Sequence, residues 1–151
     1  SSDLKAPPGK SIPTSPGEEE KPVMVEETPK GRIWATPGST AIRENISRDV
    51  FCSGANSSRV MSDGALRMKA KGAIANDAGI ARDNSAVEGV YILGQNGIPA
   101  ASVSTMSARL GEGLSSWNTG VISVANDVAQ KLGVKVGMSC KEAARIMVMS
   151  S

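Results

Sequence analysis

Short apolar runs alternate with amphipathic stretches along most of this chain. Residues 32–35 (Arg-Ile-Trp-Ala), 49–52 (Asp-Val-Phe-Cys), 72–75 (Gly-Ala-Ile-Ala) and 98–104 (Ile-Pro-Ala-Ala-Ser-Val-Ser) are brief and mostly apolar, the pattern of strands buried beneath helices. Pro99 has no ladder donor and suits only the first residues of its strand. Between these runs the apolar period lengthens. Val60, Ala65, Leu66 and Met68 mark a helix over 56–69, weakened but not forbidden by Gly64. Ser85-Ala-Val-Glu88 has the form of a capping box and predicts a helix over 86–95, stopped by Asn96-Gly97. Val121, Ile122, Val124, Ala125, Val128, Ala129 and Leu132 predict one long helix that Gly133 ends, with Asn118 or Thr119 as its cap. A second capping box, Ser139 to Glu142, opens a last helix that turns Ala143, Ala144, Ile146 and Met147 inward. Strands alternating with helices imply right-handed crossovers. The expected fold is therefore α/β, a three-layer sandwich with a mainly parallel sheet of about four strands.

The pattern fails at the start of the chain. Residues 1–30 hold Pro7, Pro8, Pro13, Pro16, Pro22 and Pro29 with the acidic triplet Glu18 to Glu20, a composition that buries too little to fold alone. They read as a disordered or extended Pro/Glu-rich arm, and residues 31–151 as a single α/β domain. Val23-Met-Val25 is the piece of that arm suited to pairing with an edge strand.

Composition narrows the function classes. Aromatics make up only 3% of the 151 residues, so the core must be built from Val, Ile, Ala, Leu and Met. A formal charge of +2, with no basic run interleaved with aromatics, argues against a nucleic acid partner. The longest apolar run is far short of the roughly 20 residues a membrane span needs, and no charged-then-apolar signal opens the chain. No membrane partner is expected, and a cytoplasmic location is. Cys52 and Cys140 can be free thiols or one disulfide, and in a cytoplasm they stay reduced. Near a strand end and a helix start, either can have a lowered pKa, although lone thiols are more often small buried apolar groups. Histidine is absent, which removes the commonest general base and metal ligand. No zinc spacing, P-loop, GxSxG or complete dinucleotide fingerprint occurs, so no metal is expected and no cofactor is identified.

In an open parallel sheet, ligands bind where loops diverge from the carboxyl ends of the strands. Three loops qualify: 53–57, 76–85 and 104–119. The first offers Gly54 and Asn56 among hydroxyls, a set that either approaches an anion or simply caps a helix. The second places Asn76 and Asp77 directly after a buried strand, with Gly79, Arg82 and Asp83 following. Such charges beside a strand end cost desolvation unless they meet a partner; alternatively Asp77 caps an amide and Arg82 pairs with Asp83. The third holds Arg109, whose planar fork matches carboxylate or phosphate oxygens, together with Ser104, Thr105, Ser107, Gly111 and Gly113. Arg109 reads either as part of an anion cradle or as the partner of Asp77 or Asp83. Trp117 walls a pocket or staples a helix to the core. Ser123 and Asn126 share a face of the long helix and look into the same cavity or satisfy a loop backbone. Catalysis without histidine would fall to Asp77 or Asp83 as general base, with Glu112 or a thiolate as the remaining options.

Taken together, Asn76-Asp-Ala-Gly-Ile80, Asp83, Gly97 to Ala100, Val103-Ser104, Ser107 to Gly111, Trp117, Gly120 to Ser123, Asn126 and Gly137-Met138 resemble a family of small bacterial α/β proteins of unassigned function. The resemblance covers about residues 48–148 and implies a polar site shared by those residues; it brings no activity or cofactor. In that family the first loop is rich in glycine and histidine, whereas Ser53-Gly-Ala-Asn-Ser57 has no histidine. Chemistry resting on that histidine is absent here or done differently.

Two functions of different class follow. One is a site for a small anionic metabolite, a carboxylate or phosphate, held by Arg109 and Ser107 and oriented by Asp77 and Asp83, as binding alone or as a hydrolase, lyase or isomerase. The other is a non-catalytic structural or accessory subunit, a homo-oligomer or part of a larger complex, whose arm and apolar helix faces pack into an assembly.

Overall fold

The computed structural model describes residues 21–79 and 84–151. Among the described residues, six strands form one sheet: β1 Val23–Thr28, β2 Gly31–Thr36, β3 Val50–Asn56, β4 Gly72–Asn76, β5 Ala100–Val103 and β6 Ile122–Ala125. They lie side by side in chain order. The pairs β2–β3, β3–β4 and β4–β5 are parallel, while the outer pairs β1–β2 and β5–β6 are antiparallel. The helices are α1 Arg59–Met68, α2 Glu88–Gln95, α3 Gly113–Thr119, α4 Asp127–Leu132 and α5 Cys140–Met149.

Successive strand residues point to opposite faces, and here they feed two separate cores. Phe51, Ala73 and Ala75 join Met61 and Ala65 of α1 and Val90 and Leu93 of α2. Val50, Cys52 and Ile74 join Trp117 of α3, Ala129 of α4, and Cys140, Ala143, Ala144, Met147 and Val148 of α5. Helix α5 lies across β2, β3 and β4, which explains why those strands are apolar on both sides.

The sheet has two more strands than the four expected: β1, which grows from the Val23-Met-Val25 piece suited to pairing with an edge strand, and β6, which the helical stripe conceals. β1 lies between Pro22 and Pro29 in a segment whose composition lacks apolar weight, yet it needs only one neighbour, pairing Val23 with Ala35 and Thr28 with Gly31. β6 occupies the first part of the expected long helix. Val121, Ile122 and Val124 fit a helical stripe, but their β-branched side chains favour a pleated surface, and β5 supplies one: Ser102 pairs with Val124. Helix α4 then starts afresh, with Asn126 Oδ1 accepting from the Ala129 amide at 2.9 Å. Asn118 and Thr119 belong to the last turn of α3 instead of capping a later helix.

The two expected capping boxes fare differently. At Ser139 the hydroxyl accepts from the Glu142 amide at 3.1 Å. After Ser85 a single 3-10 turn over Ser85–Val87 comes first, and α2 starts only at Glu88. The Glu88 carboxylate accepts from Arg59 Nη2 of α1 at 2.9 Å.

Candidate functional site at the carboxyl edge of the sheet

Because β3, β4 and β5 are parallel neighbours, the loops that follow them leave from one edge. The register sets Asn56 beside Asn76 and Asn76 beside Val103. Asn56, Asp77 and the segment that leads to Arg109 therefore leave the sheet along one edge.

Asp77 is the knot of this edge. It is only 6% exposed, so its charge requires donors, and it has three. Oδ1 accepts from the Gly79 amide at 2.9 Å and the Thr105 amide at 3.1 Å, and Oδ2 accepts from Ser123 Oγ at 2.8 Å. Its own amide donates to Val103 O, so one residue joins the ends of β4 and β5 to β6. Asn76 extends the knot. Its Oδ1 accepts from the Ala78 amide at 2.8 Å, its Nδ2 donates to Ala108 O at 3.3 Å, and its carbonyl accepts from Ser57 Oγ at 3.1 Å. The Ser57 and Ser102 hydroxyls, both buried, lie 2.7 Å apart. Ala78 and Gly79 take left-handed φ values of 53° and 67°. Left-handed backbone costs a non-glycine residue roughly 1–2 kcal/mol, which the two side-chain turns from Asn76 and Asp77 offset.

The third loop is built the same way where it meets the sheet. Ser107 Oγ donates to Ser104 O at 2.7 Å and accepts from the Val121 amide at 2.9 Å, and Ser104 Oγ accepts from the Met106 amide. Gly111 has φ 91°, and its amide donates to Gly54 O at 2.6 Å. A Cβ on Gly54 would sit 2.2 Å from Glu112 N, and one on Gly113 would sit 2.2 Å from Thr36 O. Both glycines are needed for chain-to-chain approach, which also accounts for Gly54 in the first loop.

Beyond this framework lies a rim that is not tied down. The Arg109 side chain is 44% exposed, and its nearest carboxylate among the described residues is Glu112 Oε2 at 3.7 Å, too long for a strong hydrogen bond. It makes no pair with Asp77. The Arg109 backbone amide donates to Ser115 Oγ at 2.9 Å, fixing where the side chain departs. A cavity of about 370 Å³ opens here, lined by Thr105, Ser107, Arg109, Leu110, Ser115, Thr119 and two neighbours. Among the described residues, the Thr105 hydroxyl and the Ser115 hydroxyl proton have no protein acceptor, so the lining offers a guanidinium and two O–H donors.

Several expected site residues fall elsewhere. Asn126 stands at the other end of β5, where its Nδ2 donates to Val90 O and Ile98 O and its Oδ1 also accepts from the Ala100 amide. It clamps α2, β5 and α4 together and does not share a face with Ser123, which lies in β6. Trp117 is 6% exposed within the α5 core, with Lys141 Nζ at 5.5 Å and Arg145 Cζ at 5.8 Å from its ring centroid. Its place is that of a staple. Asn56 is exposed and accepts from the Ser58 amide at 3.3 Å. Arg82 and Asp83 lie outside the described residues.

Sequence reasoning passed over Ser115 and the cavity-facing role of Thr119. Their spacing of four, one helical turn, is the signal that could have found them once α3 is recognised. A second hollow of about 550 Å³, lined by Arg59, Asn84, Ser85, Glu88, Tyr91 and two more residues of α2, had no signal, because it depends on how α1 meets α2. Among the described residues no group of three or more Cys, Asp or Glu could hold a metal ion, and no helix is long and apolar enough to cross a membrane.

The fold and this edge define the class of protein: an α/β domain with a mostly parallel six-stranded sheet. No family model, curated protein or solved structure matches the chain.

Proposed function

We propose that the protein is a three-layer α/β sandwich that binds a small carboxylate- or phosphate-bearing metabolite at the carboxyl edge of its sheet. One observation carries this reading: the Arg109 guanidinium reaches only a loose ion pair with Glu112, at 3.7 Å, among the described residues, and Arg109 lines a cavity with the spare hydroxyls of Thr105 and Ser115. A guanidinium fork and two O–H donors complement an anionic oxygen group. Asp77, with three donors on its carboxylate, is then the scaffold that holds the loops, and Ser107 serves the same end. The family resemblance over residues 48–148 supports a site built from these segments. Calorimetric titration with inorganic phosphate and a panel of di- and tricarboxylates tests the reading. At least one compound should bind, and Arg109→Ala should weaken it about tenfold or more, the loss of one charged hydrogen bond. Equal binding by parent and variant, or no binding by the parent, overturns it.

A second reading, an accessory subunit, is favoured by the apolar side chains on the same rim. Met106 is 91% exposed and Leu110 54%, which is unusual for neighbours in a loop. Light scattering on Met106→Ser/Leu110→Ser separates the two, since loss of an oligomer with anion binding intact supports assembly. Any truncation of the arm must stop short of Val23, where β1 begins.

A further inference from the structure

Cys52 and Cys140 are 88 positions apart in the chain, yet the fold brings their sulfurs to 3.5 Å, with the Cys140 thiol donating to the Cys52 sulfur. Cys52 sits in the middle of β3 and Cys140 is the first residue of α5; both are fully buried in the same core cluster. A disulfide needs the sulfurs about 2.05 Å apart, so from 3.5 Å they must close by about 1.5 Å. The same core cluster holds Val50, Ile74, Ala143 and Ala144, and the chain has no third cysteine to compete. We infer that Cys52 and Cys140 form a latent disulfide site, closing intramolecularly to pin the start of α5 to the centre of the sheet.

The chemistry balances with a low-molecular-weight disulfide as oxidant. A thiolate of the pair attacks it, forming a mixed disulfide and releasing one small thiol. The second protein thiol loses its proton and attacks the protein sulfur, expelling the other small thiol. Two protein thiols are oxidised, and one disulfide is reduced to two thiols. The Cys140 hydrogen bond and complete burial hold the Cys52 thiol well above the usual thiol range, and the thiolate is the nucleophile. Geometry favours attack from Cys140: it is the first residue of α5, where local opening of a helix end exposes it, whereas Cys52 lies within a strand paired on both sides. Oxidation is slow as a result, and the product, once closed, is shielded from reductant.

The test is incubation of the native protein with excess oxidised glutathione, followed by alkylation in denaturant, peptide mass mapping and thermal melting. The inference predicts that both thiols disappear, that peptides containing residues 52 and 140 become joined, and that circular dichroism stays native. The unfolding midpoint should rise by several degrees, reversibly with dithiothreitol. Cys140→Ser should leave the remaining thiol free and the midpoint unmoved by oxidant; Cys52→Ala is the second control should Cys140→Ser fold poorly. Persistence of both thiols just below the melting temperature overturns the inference. So does a disulfide that forms only with loss of native circular dichroism, or one between two chains. The outcome is independent of anion binding at the Arg109 rim.

Discussion

Asp77 and Arg109 stand on neighbouring loops at one edge of the sheet and carry opposite charges, but the fold uses them in opposite ways. The carboxylate is buried and holds donors from three segments. The guanidinium is partly in solvent, with its nearest described acid 3.7 Å away. A charge that the protein has fully satisfied stabilises the fold; a charge left with spare donors beside a cavity is available to a ligand. Proximity to a strand end in sequence does not separate the two cases, because the difference lies in partners that arrive from β6 and α3.

The contrast can be broken by mutation, most forcefully at Asp77. Replacing it with Ala removes the shared acceptor of the part-buried Gly79 and Thr105 amides and the stronger of the two acceptors of the Ser123 hydroxyl, so urea denaturation should show a loss of about 3 kcal/mol. A loss under 1 kcal/mol would mean that water replaces the carboxylate freely and that the knot is not one. Gly54→Ala comes next. Its methyl would meet the backbone of Gly111 and Glu112, and overpacking of that kind costs about 2 kcal/mol; a wild-type melting curve would show that the third loop is free to move off the first.

A smaller effect is expected where a charge is satisfied at the surface. Glu26 of β1 accepts from Arg145 of α5 in three contacts of 2.8 to 3.1 Å. Hydrogen bonding to that guanidinium holds the Glu26 carboxyl below its usual range, against an opposing push from burial. A lowered folded-state pKa means that the pair's contribution is complete at neutral pH and is lost as the pH falls through that lowered value. With the Arg145 side chain 51% exposed, solvent screening limits it to less than about 1 kcal/mol. Acid titration of stability in parent and Arg145→Ala should differ by that amount at pH 7 and converge in acid; a gap that persists in acid would assign the loss to packing on Trp117. Smallest of all, Arg109→Ala should change stability by no more than about 0.5 kcal/mol while weakening anion binding about tenfold or more. A variant that melts early would move Arg109 to the same side of the comparison as Asp77.

Much of the layout was legible in the sequence. The inner strands appear as short apolar runs because helices cover both of their faces, and the carboxyl edge follows from parallel neighbours. Asp77 was found because a charge directly after a buried strand must be answered by something. β6 was lost because Val121, Ile122 and Val124 satisfy a helical stripe as well as a strand when only one dimension is read. Ser123 and Asn126 went with it: three apart on a helix they would share a face, but across a strand and a cap they stand at opposite ends of the sheet edge.

The amino acid order alone determined which positions are apolar, where the chain turns, and that no imidazole is present to do chemistry, since each of these is a property of one residue or a short window. Tertiary structure decided which polar groups are satisfied and which are spare, and whether two thiols 88 positions apart touch. Hydrogen bonds and sulfur contacts act over about 3 Å, and distances on that scale between remote segments exist only once the sheet has assembled.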